Sequence, residues 1–393
     1  MIRVGTSYST SRNSEKAAAE AVEAALAKAG ITKSDATIVF ATSHHREQYP
    51  EMLKKISETA QSTVIAGSSA YGILTEEIEI EQDPGIAVMV LASDEIDTSS
   101  FLIPNLQENN FKAGEALASS LKGSDASAKH VFLFPDPFSF QSHSFFDGFE
   151  SGSGYLPLYG GLASEDGREG KTYQFAGTES AFDSISGLVL EGNLVMEAGI
   201  TRSCQPFGEP LKITRADGNI IYEIDGHPAY DILLESISNL PIDNTDQIFQ
   251  RVFLGVPMKN FQTDFMESPF LIRNILSVNA KKGVLACASP IEEGEYVTFT
   301  VRDSSFARQD LRATLENLSF QFAPHQPAFG FYFNCCSRGQ ALYGRHDEDI
   351  SLIHQYFPKV PIIGFFSYGE IAPVDHVNHL HHHAGVLNFF TDL

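Results

Sequence analysis

The chain opens on an alternation of apolar strands and amphipathic helices. Arg3–Tyr8 predicts a strand. Ser14 is a good N-cap with Glu15 in the first turn, Ala18, Val22, Ala25, Leu26 and Ala29 recur at helical spacing, and Gly30 supplies the C-cap. Thr37–Ala41 is a short apolar run that predicts a buried strand, and Met52, Leu53, Ile56 and Ala60 mark a second amphipathic helix. Val64-Ile65-Ala66 predicts a strand running into the loop Gly67-Ser68-Ser69-Ala70-Tyr71-Gly72. Glu77–Glu81 alternates acidic and apolar residues, which predicts a solvent-facing edge strand kept soluble by its charges. Ile86–Leu91 predicts another buried strand.

A similar order recurs. Val131–Phe134 is followed by the Phe-rich segment Ser139–Phe149 and by Leu156-Pro157-Leu158-Tyr159-Gly160-Gly161-Leu162-Ala163-Ser164. Phe329–Phe333 is followed by a helix-like stretch, Asp347–Phe357, and by Pro361-Ile362-Ile363-Gly364-Phe365-Phe366-Ser367-Tyr368-Gly369-Glu370. Ile65, Gly67, Tyr71 and Gly72 align on Ile362, Gly364, Tyr368 and Gly369, while the middle copy is the most degenerate. Each copy leads to an apolar strand: Ile86–Leu91, Ile185–Leu190 and Gly385–Phe390. The spacing is too long for a solenoid and describes one supersecondary unit used more than once. Between the copies, Leu194–Tyr222 predicts strands with turns at Pro206-Phe207-Gly208 and Ala216-Asp217-Gly218-Asn219. Pro228 opens a helix with Tyr230, Leu233 and Ile237. Ser277–Thr300 predicts strands with glycine turns, then a helix with Leu311, Leu315 and Leu318. The expected fold is mixed α/β, with mixed sheets flanked by helices in two halves, residues 1–222 and 223–393.

Charge and composition narrow the function. The chain has 393 residues, 27 basic against 50 acidic, a net charge of -23 that repels phosphate backbones and anionic membranes. Its longest purely apolar run, Ile86–Ala92, is far shorter than the ~20 residues a bilayer core requires. No secretory signal pattern opens the chain. Four scattered cysteines make no disulfide framework, so a reducing cytoplasm is expected.

Few residues offer chemistry. Gly67-Ser68-Ser69 and Gly160-Gly161 follow strands but match neither G-x-x-x-x-G-K-[ST] nor G-x-G-x-x-G. Their glycines serve close packing or tight turns, or the loops line a pocket for a small polar ligand. In Asn334-Cys335-Cys336-Ser337-Arg338-Gly339, an Arg at a strand end can hold a carboxylate bidentately, or pair with a structural acid. A thiol beside it is either an activated nucleophile or a small core residue. His379, His381 and His383 share a face if extended, yet no carboxylate or recognised spacing completes a metal site, and a His-rich surface hairpin is expected. No cofactor is indicated. A G-x-S-x-G elbow is absent, which disfavours a serine hydrolase.

The segments Phe333–Gly339, Pro361–Phe365 and Tyr368-Gly369-Glu370-Ile371 resemble the C-terminal half of the FIST family, sensory domains of F-box and intracellular signal transduction proteins. Gly67–Gly72 and Gly160–Ala163 are similar to the loops of its N-terminal half, and Cys204–Gly208 with Asp225–Ala229 to the junction. Ile73 departs from the Glu usual in the first loop, and Cys336-Ser337 from the small residues usual before the Arg. The resemblance implies sensing of a small ligand, with amino acids or their derivatives proposed. It further implies a stand-alone sensor acting through an unidentified signalling partner, since no output domain is in view. The expected ligand residues are Gly67, Ser68, Ser69, Tyr71, Gly160, Gly161, Asn334, Cys335, Arg338, Gly339, Tyr368, Gly369, Glu370 and His381. Arg338 would take a ligand carboxylate and Glu370 an amino group. Two alternatives stand beside this: a cysteine enzyme using Cys335, His381 and Glu370, and a protein-interaction adaptor without a small ligand.

Overall fold

The computed structural model describes residues 2–121, 129–240, 245–258 and 270–392. Packing divides them between two units, one built from Met1–Thr201, Leu311–Leu380 and Ala384–Leu393, the other from Arg202–Asp310 with His381–His383.

In the first unit one motif occurs three times: strand, helix, strand, helix, strand, hairpin, strand. The first copy runs through strands Arg3–Ser9, Ala36–Thr42, Ile65–Ala70, the hairpin Gly72–Thr75/Glu79–Glu81 and Ile86–Ala92, with helices Ser14–Ala29 and Tyr49–Ala60. The second uses Ile96–Pro104, Lys129–Pro135, Leu158–Gly161, the hairpin Gln174–Ala176/Glu179–Ala181 and Ser184–Gly192, with helices Asn110–Ser120 and Ser142–Ser153. The third uses Leu194–Arg202, Phe329–Cys335, Ile362–Ser367, the hairpin Glu370–Val374/Val377–His381 and Ala384–Asp392. Its main helices are Ser304–Phe322 and Glu348–Tyr356, and Arg202–Asp310 is inserted after its first strand.

Each copy makes a sheet with one parallel pair, Ala36–Thr42 with Ile65–Ala70, Lys129–Pro135 with Leu158–Gly161, and Phe329–Cys335 with Ile362–Ser367. The closing strand lies antiparallel on the other side of the first member. The hairpins are exchanged in a ring. The first copy's hairpin joins the third copy's sheet, the second's joins the first's, and the third's joins the second's. This is a pseudo-threefold arrangement, and the core follows it. Phe40, Phe134 and Phe333 occupy equivalent strand positions and meet with ring centroids 5.2, 6.4 and 5.9 Å apart. Ile38, Phe132 and Phe331 lie on the same inner faces two residues earlier. The outer faces, Val39 and Ala41 in the first copy, pack on the helix residues Ala18, Val22 and Leu53. Burial on both faces explains why these strands read as continuous apolar runs.

The structure corrects several sequence expectations. Gly67-Ser68-Ser69 is no loop but the middle of the strand Ile65–Ala70, and Gly160-Gly161 ends the strand Leu158–Gly161. Close approach explains the glycines. A Cβ on Gly67, Gly160 or Gly364 would lie 1.7, 2.0 or 1.7 Å from the carbonyl oxygen of Val39, Leu133 or Tyr332, the residue opposite on the parallel neighbour. The acidic edge strand is Glu79–Glu81, but both glutamates are buried instead of facing solvent. Their carboxylates meet backbone N–H groups of the third copy: Asp347 and Ile350 donate to Glu79 at 3.0 and 3.1 Å, and Gln340 donates to Glu81 at 2.8 Å.

The second unit is an antiparallel barrel. Cys204–Asp217, Tyr296–Arg302, Val252–Pro257, Phe270–Asn279, Val284–Cys287 and Ile220–Ile224 pair in that order, and the last returns to the first. The turn expected at Pro206-Phe207-Gly208 is a bulge inside the long strand Cys204–Asp217, whose pairing slips between Phe207 and Leu211. Helix Ala229–Ser236 packs Leu233 with Ile213, Leu254, Leu285 and Phe299 in its core. No helix among the described residues is long and apolar enough to cross a membrane.

Candidate functional site

The C-terminal ends of the parallel strands bring the three copies together. Cys335 pairs in register with Ser367 and Asn334 with Phe366, so the Asn334–Arg338 segment lies beside Ser367–Glu370. Glu370 and Ile371 pair with Gly161 and Gly160 across the exchanged hairpin. Leu162 donates its N–H to the Gly369 carbonyl at 2.8 Å, and Tyr368 donates to Leu162 at 3.2 Å. The Ser164 hydroxyl joins all three copies, because it accepts from the Tyr71 N–H at 2.7 Å and donates to the Phe366 carbonyl. Ser69 donates to the Ser164 carbonyl at 3.1 Å and accepts from the Tyr173 N–H at 3.0 Å. The structure thus gathers Ser69, Tyr71, Gly160, Gly161, Asn334, Cys335, Tyr368, Gly369 and Glu370. His381 belongs to the other unit.

Arg338 is fully buried and held as a structural cation. Its Nε and Nη2 grip Asp349 Oδ2 and Oδ1 at 3.0 and 3.1 Å, and Nη2 also reaches the Tyr343 hydroxyl at 2.9 Å. Asp349 accepts further from Tyr332 Oη at 2.8 Å, Tyr343 Oη at 2.8 Å and Asn334 Nδ2 at 3.1 Å. Burial alone would raise the Asp349 carboxyl, but Arg338 and these donors bring it below its ordinary value. The expected two-pronged grip on a ligand carboxylate is corrected here: the fork is occupied by Asp349, the structural acid that the sequence left as the alternative. Among the described residues, Arg338 Nη1 and Asn334 Oδ1 are buried with no partner, as is Ser68 Oγ in the strand Ile65–Ala70. Gly339, at φ +55°, leaves no room for a side chain, since a Cβ would lie 2.5 Å from Glu81 Oε1.

Glu370 is fully buried. Ser367 Oγ donates to its Oε1 at 2.6 Å and the Ala384 N–H reaches its Oε2 at 3.4 Å. Burial first, then the neighbouring Cys335, push its carboxyl well above the usual carboxylate range. Cys335 is buried, accepts from Ser337 Oγ at 3.1 Å, and is not disulfide-bonded. The adjacent Cys336 is half-buried, and its hydrogen bond with Cys335, followed by burial, raises its thiol. Half-buried Tyr368 donates to the Glu165 carbonyl at 2.8 Å, and burial, Glu165 and Cys336 raise its phenol. Solvent reaches the site at Tyr71, Cys336, Ser337 and Tyr368.

The His-rich tract forms the end of the hairpin Glu370–Val374/Val377–His381, turning at Asp375-His376. It is not wholly a surface feature, because His381 and His383 are buried. Among the described residues no group of three or more His, Cys, Asp or Glu is placed to hold a metal ion. Sequence reasoning missed Asp349, Tyr332, Tyr343, Ser367 and Glu81. Asp349 looks like an ordinary first-turn acid, and only the fold brings it under the strand end.

The FIST N domain matches residues 35–227 and the FIST C domain residues 229–373. An uncharacterized protein of Mycobacterium tuberculosis is 28% identical over 100% of both chains. One from Methanocaldococcus jannaschii is 26% identical, covering 86% of this chain and 70% of its own. F-box only protein 22 of Homo sapiens is 24% identical over 30% of each. A solved cyanuric acid hydrolase from A. caulinodans, at 10% identity and a TM-score of 0.28 over 48% of this chain and 70% of its own, is too distant to bear on fold or chemistry. The two domain matches together span most of the chain, and the protein belongs to the FIST family of signal-transduction sensory domains.

Proposed function

We propose that this chain is a cytoplasmic sensor that binds a small polar metabolite, an amino acid or close relative, at the strand ends of the pseudo-threefold unit and signals through a partner protein. The observation that carries the reading is the pair of buried, unpartnered polar atoms at one strand end, Arg338 Nη1 and Asn334 Oδ1. A buried donor or acceptor left unmatched costs about 1–3 kcal/mol, so such atoms favour a polar occupant. Arg338 offers a ligand carboxylate its Nη1, with Nε and Nη2 taken by Asp349 and Tyr343. Glu370 offers an ammonium group a carboxylate, and the charge of that ammonium would draw the proton from Glu370. Binding should therefore release a proton and tighten as pH rises.

The reading as a binding protein, not an enzyme, is supported by the structural pairing of Arg338, whose charge is taken up by Asp349 and is not left to activate the nearby Cys335. A thermal-unfolding screen against the amino acids tests the proposal. At least one should stabilise the protein, because a ligand at 100 times its Kd adds about 2.7 kcal/mol. Stabilisation by none would refute it.

A further inference from the structure

The pseudo-threefold arrangement gives every strand-end residue two counterparts. Cys335 stands where the first copy has Thr42 and the second Asp136, each two residues beyond the core phenylalanine Phe333, Phe40 or Phe134. From these places to the next helix the first copy runs through six residues, 43–48, and the second through five, 137–141. The third runs through twelve, 336–347, before Glu348–Tyr356 begins. The buried Arg338 stands level with the buried His45 and Ser139, three residues along, so the added length lies after it. It forms a five-residue helix, Gly339–Tyr343, that the other copies lack at this place. An insertion on a scaffold of repeated elements is where function is most often carried.

We infer that Gly339–Gly344 is a lid over Arg338, hinged at its two terminal glycines, which opens to admit a ligand to the guanidinium. The inference rests on the binding site proposed above and supplies its entrance. Arg338 is fully buried, and among the described residues its Nη1 has no partner, so no solute reaches it while the segment is closed. Tyr343 covers it from the end of the short helix. Arg338 Nη2 donates to the Tyr343 hydroxyl at 2.9 Å, that hydroxyl donates to Asp349 Oδ1 at 2.8 Å, and the ring centre lies 5.9 Å from the guanidinium carbon. At the other end the Gln340 N–H donates to Glu81 Oε1 at 2.8 Å, which ties the segment to the first copy's hairpin. A helix this short does not persist without such ties, because the cost of its first turn is never repaid by propagation. Gly339 at φ +55° and Gly344 at φ +72° bracket it in the left-handed region. Ala341, Gly344, Arg345 and His346 are exposed, so the segment can swing outwards into solvent. Opening exchanges polar ties for hydration and leaves the strand Phe329–Cys335 in place, as local openings of surface segments do.

The lid is tested first without ligand, on the full chain, by phenylglyoxal modification of Arg338 followed in a peptide map. Deuterium exchange in Phe329–Cys335 measures global opening alongside it. Gly344→Ala meets nothing within 4 Å of the added carbon, yet it strains the closed backbone and leaves the open one free. Modification of Arg338 should therefore rise roughly 5- to 30-fold, the population equivalent of a left-handed backbone in an L residue, with strand exchange unchanged. Gly218→Ala, at a similarly open left-handed turn of the second unit, should change neither readout. Tyr343→Phe, which keeps the ring and removes the hydroxyl from Arg338 and Asp349, should also speed modification, and it serves if Gly344→Ala fails to fold. An unchanged rate in both variants, or a rise matched by strand exchange, would overturn the lid. In the unmodified chain, the amino acid that raises the unfolding midpoint most should slow modification of Arg338. Stabilisation without that protection would overturn the lid as the entrance to the site. Stabilisation by no amino acid would refute the sensing reading, whereas the lid stands or falls on the ligand-free rates.

Discussion

Buried charge is concentrated in a few side chains whose replacements have opposite signatures. Arg338 and Asp349 are both fully shielded, so removing either strands the other. Arg338→Ala is expected to cost about 3–5 kcal/mol by chemical denaturation, the range for breaking a buried pair. A loss under 1 kcal/mol would show that the pair does not hold the strand end. Burial, and then Cys335, push the Glu370 carboxyl well up in the native protein, whereas in the unfolded chain it ionises near its ordinary value of 4.5. Its raised carboxyl therefore stabilises fully below that value, and the contribution is lost as pH rises. Glu370→Gln, which stays neutral, should gain stability relative to wild type steadily from pH 5 to pH 8. A constant difference across that range would mean that Glu370 is ionised in the native state. His45 runs the other way. Burial holds its imidazole down at about 4, against 6.5 when unfolded, with Nδ1 on Ser14 Oγ at 2.9 Å. Below about pH 6.5 the unfolded chain takes up a proton that the native one refuses, so stability falls towards pH 4 by up to about 1.4 kcal/mol per pH unit. His45→Gln should lower stability at pH 7 yet flatten this acid slope, read from denaturation midpoints at pH 5 and pH 7.

At the scale of elements, one tie is repeated. Three residues beyond the strand-end position, each copy buries a polar side chain: His45, Ser139 and Arg338. Two of these segments meet the first residue of a helix, His45 through Ser14 and Ser139 through Asn110 Nδ2 on its carbonyl at 3.0 Å. Arg338 meets Asp349 in the first turn of Glu348–Tyr356 instead. The same helix receives Glu79 from the first copy's hairpin, whose carboxylate caps the Asp347 and Ile350 N–H groups. Glu79→Ala should cost about 1–2 kcal/mol, the scale of a lost cap, and Glu79→Gln less, because an amide oxygen still accepts. Equal losses in the two variants would show that capping is not the role of Glu79. The periodicity of the sequence made strands and helices of this motif legible, including the match of Gly67 and Tyr71 to Gly364 and Tyr368. Hairpin exchange was not legible. Pairing partners over 250 residues apart leave no local trace, so Glu79 and Glu81 read as solvent-facing acids although their carboxylates are capped by another copy. The strand-end cluster was readable as a place, because glycines mark close backbone approach. Its wiring was not, since nothing near Asp349 in sequence announces a partner for Arg338.

At the scale of the whole molecule, a net charge of -23 surrounds a core of aromatic layers. Self-repulsion of this size weakens the compact state, and salt screens it over a Debye length of about 10 Å at 0.1 M. The unfolding midpoint should therefore rise between 20 and 300 mM NaCl, and a fall would place the dominant electrostatics in attractive surface pairs instead. Family membership sets the frame of sensory signalling. The proposed function has a small zwitterionic metabolite bound at the strand ends, with its ammonium on Glu370. Calorimetric titration at pH 7.5 in two buffers of different ionisation enthalpy, using whichever amino acid raises the unfolding midpoint most, tests that claim directly. Saturable binding with proton release is expected in wild type and loss of both in Glu370→Gln, whereas undiminished binding in Glu370→Gln would overturn this reading.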